Sequence, residues 1–413
     1  MTETYRIPGA VLTEREHRVP LVHAQPDGPA ITVFTREVAD PEGLDRPYLL
    51  FLQGGPGIEA TRPTSPPSGW MRRALTDYRI LLLDQRGTGR STPVGSQIPG
   101  ATAREQADYL THFRADAIVH DAELIRKDLG SPPWSVLGQS FGGFTSMAYL
   151  SIAPEGLREA FITGGLSPIG RPPDDVYAAT WIRLIDKNRA YFRRYPEDRA
   201  RVRSILDRLA GEDVRLPSGD PLTPHRFRQL GGWLGDDHGF ELLHHVIELP
   251  FGSPAFLWDV MGGPRHARNP IYATLHESSY ADGFATRWSA ERLAPDEAEA
   301  EGYFTAEQMF QWMWDEYGGL RDHKAAAMLL ADHPWPKLYD ASVLARNEVP
   351  VAATIYVNDL YVERAFAEET AAAIRGLRPW ITNEYEHGAL RNDGERVLDR
   401  LIDLVRGRAY TTA

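Results

Sequence analysis

The chain contains no cysteine among its 413 residues. Disulfide bonds, thiolate nucleophiles and cysteine-ligated metal sites are therefore excluded, and a disulfide-stabilised secreted protein is not expected. The first residues lack the basic and then apolar pattern of a signal peptide, and no apolar run approaches the roughly 18 residues that cross a membrane. We therefore expect a cytoplasmic protein.

An excess of basic residues is also missing, because the formal net charge is −12 at pH 7. Broad binding of nucleic acids or anionic membranes needs a basic face that offsets phosphates, so neither is expected as a partner. No metal or organic cofactor is expected, since His244 and His245 form the only pair of adjacent histidines and such a pair rarely binds a metal without further ligands. An amine-bearing ligand suits the charge better.

The first part of the chain alternates strand and helix signals. Short apolar runs at 47–53, 79–84 and 134–139 are each followed by a turn with glycine, which is typical of buried parallel strands. Apolar side chains recur at helical spacing through residues 104–129. The alternation predicts an α/β fold with a doubly wound, mostly parallel sheet.

The alternation is interrupted after a further strand at 157–163. The next 180 or so residues are rich in tryptophan, tyrosine and histidine and carry helical patterns, for example from Tyr303 to Tyr317. The acidic run at 294–302 is expected to form a solvated loop or the start of a helix. These features predict a helical cap inserted into the sheet.

Strand and helix signals return at the carboxyl end of the chain. Residues 349–357 and 379–385 are expected to form strands, and 394–406 an amphipathic helix. The expected division is a core made of residues 1–165 and 346–413, with the cap at 166–345.

Residues 138–143, Gly-Gln-Ser-Phe-Gly-Gly, follow a predicted strand and open an apolar helical stretch. A G-x-S-x-G sequence in this context is typical of the nucleophile elbow of the α/β-hydrolase fold, in which a strained turn exposes the serine Oγ above the sheet. Side chains two residues either side would collide with backbone, which explains the glycines. Ser140 is the candidate nucleophile.

A serine hydroxyl needs a general base that is oriented by an acid, and in this fold both follow the serine in the chain. His387 is the only histidine beyond the last predicted strand, which makes it the candidate base. Asp359 lies just past the strand at 349–357, where it can reach the histidine and fix the imidazole tautomer. Glu363 is the alternative acid.

The turn at 53–57, Gln-Gly-Gly-Pro-Gly, ends the first predicted strand. Its glycines let backbone N–H groups point at a developing oxyanion. A phosphate-binding loop is disfavoured because no Gly-Lys-Ser/Thr follows. The N–H groups of Gly54 and Phe141 are the candidate oxyanion-hole donors, with Gly55 as a substitute.

Four motifs lie between residues 50 and 390. They are Gly-Gly-Pro-Gly at 54–57, Asp-Gln-Arg-Gly-Thr-Gly-Arg-Ser at 84–91, the elbow at 138–143, and Glu-Tyr-Glu-His-Gly at 384–388. In order and spacing they resemble the prolyl aminopeptidases (proline iminopeptidases), serine peptidases of the α/β-hydrolase fold, in the larger branch with a longer cap. Gln53 departs from the histidine that usually precedes Gly-Gly-Pro-Gly. Since this position supports the oxyanion loop, we expect an effect on rate or substrate range and none on the fold.

The resemblance implies an exopeptidase that releases N-terminal proline from peptides, with the cap closing over the imino group. Family members hold this cationic amine with cap glutamates, and residues 275–280, Leu-His-Glu-Ser-Ser-Tyr, look like the glutamate-bearing segment. Glu277 is therefore the candidate amine ligand. A second carboxylate is implied, for which Glu241 and Glu248 are the candidates.

Two further expectations concern the surroundings of the site. Arg86 is expected to support the oxyanion loop through hydrogen bonds to backbone carbonyls. Five cap tryptophans either line the proline pocket or form the core of the cap: Trp233, Trp258, Trp288, Trp312 and Trp314.

Two other functions stay open. An esterase or amidase of the same fold would use the same Ser, Asp and His on small acyl substrates, since these residues fix acyl transfer and not the leaving group. A ligand-binding receptor on a hydrolase scaffold is disfavoured by the intact set of the three residues.

Overall fold

The computed structural model describes residues 2–263 and 266–410. Nine strands form one sheet: β1 Thr2–Ile7, β2 Ala10–Pro20, β3 Ala30–Ala39, β4 Tyr48–Leu52, β5 Arg79–Asp84, β6 Trp134–Gln139, β7 Leu157–Thr163, β8 Val351–Tyr356 and β9 Leu377–Thr382. Their order is β1-β2-β3-β5-β4-β6-β7-β8-β9. The first three pairings are antiparallel and the following five are parallel, so the predicted mostly parallel sheet is confirmed.

The antiparallel edge formed by β1, β2 and β3 was not predicted from the sequence. Its strands carry charged side chains where the central strands carry apolar ones. Glu14 on β2, for example, accepts a hydrogen bond at 3.0 Å from Arg36 on β3 and pairs with Arg90 at 2.5 Å. These strands therefore lack the continuous apolar run that marks the buried strands of a parallel sheet.

Helices cover both faces of the sheet. Those before and after the inserted segment are α1 Gly69–Leu75, α2 Ala103–Leu110, α3 Ala115–Asp128, α4 Phe141–Ile152, α16 Arg364–Ala373, α17 Ala389–Asn392 and α18 Gly394–Val405. On one face Trp70 of α1 and Leu401 of α18 share a buried apolar cluster, and α3 and α4 pack into the cluster on the other face. The doubly wound arrangement and the closing amphipathic helix are thus as predicted.

The segment between β7 and β8 is helical. It holds α5 Pro173–Arg194, α6 Asp198–Gly211, α7 Pro224–Arg228, α8 Gly239–Ile247, α9 Pro254–Gly262, α10 Pro270–Leu275, α11 Ser289–Arg292, α12 Asp296–Ala300, α13 Met313–Glu316, α14 Lys324–Ala331 and α15 Ala341–Leu344. Short 3₁₀ segments lie at Thr111–Phe113, Pro154–Gly156, Gln229–Gly235, Glu277–Tyr280 and Gly318–His323. We call residues 166–345 the cap, although its limits stay a prediction.

Two helical predictions were wrong in extent. The stretch from Tyr303 to Tyr317 is helical only at Met313–Glu316. The predicted helix at 104–129 is broken at Arg114, which has an extended backbone. The buried guanidinium of Arg114 donates hydrogen bonds to the carbonyls of Ala281 at 2.9 Å and Pro336 at 3.2 Å, so tertiary contacts replace the helical continuation. None of the described helices is long and apolar enough to cross a membrane.

Candidate functional site

Ser140 lies in the turn between β6 and α4 with φ 54° and ψ −122°, a strained conformation for a residue with a side chain. The surrounding glycines make this turn possible. A Cβ on Gly142 would lie 1.8 Å from the carbonyl oxygen of Leu52, and one on Gly138 would lie 2.3 Å from the carbonyl oxygen of Gly142. Close backbone packing therefore imposes the G-x-S-x-G sequence and leaves Ser140 at the carboxyl end of β6, half-buried.

Asp359 follows β8, which lies next to β7 in the sheet, and His387 follows β9, the edge strand beyond β8. His387 Nδ1 lies 2.8 Å from Asp359 Oδ2. The other carboxylate oxygen, Oδ1, accepts backbone N–H groups from Tyr361 at 2.8 Å and Val362 at 3.0 Å. The loop after β8 thus fixes the carboxylate, and the carboxylate in turn fixes the imidazole ring.

The pKa of His387 reflects these neighbours. Burial would lower it, but the Asp359 carboxylate, through its charge and its hydrogen bond, and the more distant charge of Glu307 hold it above its ordinary value. Such an imidazole is a stronger base than a free histidine.

Gly164 and Gly165, directly after β7, lie against both the serine and the histidine. A Cβ on Gly164 would be 3.2 Å from His387 Nδ1, and a Cβ on Gly165 would be 2.4 Å from the carbonyl oxygen of Ser140. The same loop therefore packs on the two residues and places them at one edge of the sheet. Ligands of open α/β sheets bind at this edge.

Glu363, the alternative acid, makes other contacts. Its two oxygens accept hydrogen bonds from Arg183 Nε and Nη2, each at 2.8 Å. It also caps α16 by accepting the N–H of Ala365 at 3.2 Å. The geometry favours Asp359 over Glu363 as the partner of His387.

The glycine-rich turn after β4 approaches the serine. A Cβ on Gly54 would lie 3.1 Å from Ser140 Cβ and 2.5 Å from Gln139 Oε1. Phe141 is the first residue of α4, so its N–H has no acceptor within the helix. Both N–H groups named from the sequence thus belong to residues beside Ser140.

The side chain that supports this turn is Gln85 and not Arg86. Gln85 Nε2 donates a hydrogen bond to the carbonyl oxygen of Gln53 at 2.9 Å, and Thr61 Oγ1 donates to Gln53 Oε1 at 3.2 Å. The guanidinium of Arg86 does bind backbone carbonyls, but those of Pro20, Leu21 and His112, and it pairs with Asp121. The expectation for Arg86 was therefore wrong, because neighbouring residues of a tight turn point in different directions.

Glu277 is buried in the cap, in the 3₁₀ segment after α10. Its Oε1 accepts the N–H of Ala290 at 2.9 Å, and burial raises the pKa of its carboxyl above the ordinary value. It lines a narrow cavity of about 20 Å³ together with Thr286, Trp288 and Trp335. Trp288, one of the five candidate tryptophans, thus borders a cavity together with Glu277.

Glu241 and Glu248, proposed from the sequence as the second carboxylate, lie on the outer side of the cap. Their side chains are 36% and 48% exposed, respectively. Glu241 pairs with Arg194, and Glu248 Oε1 lies 3.4 Å from His245 Nδ1. Both side chains are open to solvent, so the structure does not bring them to the site.

Glu307 is the carboxylate that the sequence analysis missed. Tyr272 Oη donates a hydrogen bond to its Oε1 at 2.7 Å, and His276 Nε2 lies 3.3 Å from its Oε2. Burial would raise the pKa of this carboxyl, but His276 and, more weakly, His387 hold it below its ordinary value. Glu307, a cap residue, is therefore ionised, and its charge contributes to the raised pKa of His387.

Aromatic side chains lie close to His387 and His276. The ring of Tyr361 lies 4.9 Å from that of His387, centre to centre, and Tyr280 Oη donates to the carbonyl oxygen of Tyr361. The Tyr280 ring lies 5.4 Å from Phe144 and 6.1 Å from His276. Tyrosines and a phenylalanine are thus aromatic neighbours of His387 and His276. Of the tryptophans expected as candidates, Trp314 is buried and Trp258 is 59% exposed.

One cluster with metal-ligand character lies in the described cap. His244 Nδ1 is 2.8 Å from Asp198 Oδ2, with Glu197 nearby. Asp198 also accepts hydrogen bonds from Tyr191 and Arg201. Since its oxygens already have donors, the cluster is explained as a structural contact between α6 and α8.

The sequence is similar to those of known proteins over nearly its whole length. A family model for the alpha/beta hydrolase fold matches residues 47–207, which confirms the predicted α/β-hydrolase fold. A proline iminopeptidase from Aeromonas sobria is 49% identical over 404 residues, which are 94% of this chain and 95% of that protein. The proline iminopeptidase aneH from Aspergillus aculeatus is 35% identical over 97% of this chain and 95% of its own length.

Proposed function

The chain belongs to the proline iminopeptidase family, and we propose that it is a serine exopeptidase that releases N-terminal proline from peptides. The observation that carries the proposal is the pairing of His387 with Asp359 in the same interior as the ionised Glu307. The pair of His387 and Asp359 suits acyl transfer, and the Glu307 carboxylate suits the binding of a cationic amine. An enzyme that acts at a free N-terminus needs both.

In this proposal Ser140 Oγ attacks the carbonyl carbon of the N-terminal proline. His387 Nε2 accepts the serine proton, while Nδ1–H stays bonded to Asp359, which stabilises the imidazolium. The N–H groups of Gly54 and Phe141 stabilise the oxyanion. His387 then protonates the leaving amine of the shortened peptide, which departs, and the prolyl ester on Ser140 remains. Water activated by His387 hydrolyses that ester and frees proline.

The free N-terminus is proposed to bind to the cap carboxylates. A secondary ammonium loses water on entering the site and needs a partner charge. Glu307 and Glu277 take this role in the proposal, because both charges act on the buried Tyr177 hydroxyl and both border His276. Tyr280, Tyr361 and Phe144 would contact the apolar face of the pyrrolidine ring.

The test is release of free proline from a Pro-Xaa peptide, with the same peptide acetylated at its N-terminus as the control substrate. We expect release from the free peptide only. The Ser140→Ala and His387→Ala variants should lose this activity to the same extent, because the two residues act as a unit. Hydrolysis of small neutral esters without any release of proline would instead assign an esterase or amidase.

The proposal also includes a role for the cap and a cellular compartment. Residues 166–345 would close over the amine, and the enzyme would act in the cytoplasm. The absence of cysteine from the sequence supports this compartment.

A further inference from the structure

His276 lies between two cap residues that come from distant parts of the chain. Its Nδ1 is 3.1 Å from Tyr177 Oη, on α5, and its Nε2 is 3.3 Å from Glu307 Oε2. The histidine is only 2% exposed. The three side chains therefore form a continuous chain of polar contacts that ends at the carboxylate.

The direction of this chain follows from the chemistry of its ends. An ionised carboxylate only accepts hydrogen bonds, so the imidazole nitrogen that faces Glu307, Nε2, must carry a proton. When the ring is neutral, Nδ1 accepts the hydrogen bond that the Tyr177 hydroxyl donates. Burial keeps that hydroxyl protonated, since it holds the pKa of Tyr177 well above its ordinary value. The Tyr177 hydroxyl thus favours the arrangement in which Nε2 carries the proton and faces Glu307.

Glu307 is held from two sides. Tyr272 Oη donates to Oε1 at 2.7 Å, and His276 Nε2 faces Oε2. Each carboxylate oxygen has about two lone-pair positions, so one on each remains for a further donor. The carboxylate is thereby fixed in orientation while still able to accept a hydrogen bond.

We propose that His276, oriented by Tyr177, is a positioning residue for recognition of the substrate's N-terminal amine. It acts through Glu307 and does not touch the substrate. This inference rests on the proposed exopeptidase function. Without the Nε2–H donor, the carboxylate is free to rotate away from the amine, and part of the binding free energy is spent on reordering it.

The experiment compares His276→Gln with His276→Leu on proline naphthylamide and on nitrophenyl acetate, a neutral ester. Glutamine keeps an N–H donor at a similar reach, and leucine removes it at similar bulk. We expect His276→Leu to raise KM for the naphthylamide by about tenfold to a hundredfold, with a smaller change in kcat, and His276→Gln to recover most of the loss. The exposed His245 provides the matched control, since His245→Leu should change neither substrate's kinetics.

Three outcomes are decisive. A rise in KM for the naphthylamide that exceeds the effect on the ester, with rescue by glutamine, supports the proposal. Equal losses on both substrates, or normal kinetics in both variants, overturn it. If His276→Leu does not fold, Tyr177→Phe gives the same decision, because loss of the hydroxyl should raise KM severalfold for the amine substrate alone. Failure of the wild-type protein to release proline would overturn the proposed function instead.

Discussion

Asp359 divides its two carboxylate oxygens between different tasks: Oδ2 faces His387 Nδ1 at 2.8 Å, and Oδ1 accepts the N–H groups of Tyr361 and Val362. The backbone after β8 therefore decides the direction in which the imidazole is held. A substitution that keeps the shape of this side chain leaves the backbone contacts in place. It changes only which ring nitrogen of His387 carries the proton.

Asp359→Asn should consequently preserve the fold and lower kcat by about 10⁴, because the amide stabilises the wrong imidazole tautomer, as in other serine proteases. Steady-state kinetics and thermal unfolding of the same preparation measure the two effects. Glu363→Gln is the control and should keep near-normal kcat. The opposite result, an inactive Glu363→Gln beside an active Asp359→Asn, would move the role to Glu363.

The pH dependence should follow His387. A general base must be neutral, so kcat/KM falls as the pH decreases through its pKa, and the raised pKa of His387 places this inflection above the ordinary value of about 6.5. Glu307→Gln removes one of the charges that raise it and should shift the inflection to lower pH. A neutral ester is the substrate to use, because its ionisation does not change over this range. Glu241→Gln, which removes an exposed charge, should leave the inflection where it is.

The cap carboxylates should affect amine substrates selectively. Glu307→Gln should lower kcat/KM for proline naphthylamide about tenfold to a hundredfold, the value of a charge-assisted hydrogen bond of about 1.5–3 kcal/mol, and Glu277→Gln should act in the same direction. Glu248→Gln is the surface control. If neither Glu307→Gln nor Glu277→Gln affects the amide more than it affects a neutral ester, the amine is held by other groups.

Gly142 offers a test of the elbow that is independent of catalysis. Gly142→Ala places a Cβ 1.8 Å from the Leu52 carbonyl oxygen, so β4 and α4 must separate, and we expect a loss of at least about 1–3 kcal/mol in the free energy of unfolding. Gly211→Ala is the matched control, since a Cβ there meets no atom within 4 Å. Its stability should be unchanged or up to about 1 kcal/mol higher. Urea unfolding of both variants measures the difference.

The sequence predicted the parts of the site that depend on local backbone. The elbow of Ser140 needs glycines at fixed offsets, and Asp359 and His387 each directly follow a strand, so their approximate positions can be read from motif and strand order. The parallel sheet was predictable for the same reason, because its central strands are short and wholly apolar. The charged antiparallel edge lacked this signal.

The cap residues could not be predicted in the same way. Glu307 lies in an irregular stretch whose apolar residues suggested a helix, and only tertiary packing brings it to Tyr272 and His276. Glu241 was plausible by sequence, yet its direction depends on the rotation of α8 about its own axis. Gln85 and Arg86 show the same limit on a smaller scale, since adjacent positions in one turn contact different parts of the molecule.

The insertion between β7 and β8 has a consequence for the order of folding. Ala160 pairs with Val351 across about 190 residues of chain, whereas β6 and β7 are joined by a single helix and a short turn. Closing so long a loop is entropically costly, so we expect β8 and β9 to dock onto the sheet late. A refolding chain would then form the elbow around Ser140 before Asp359 and His387 arrive. The nucleophile would therefore stay inert until the last strands have joined the sheet.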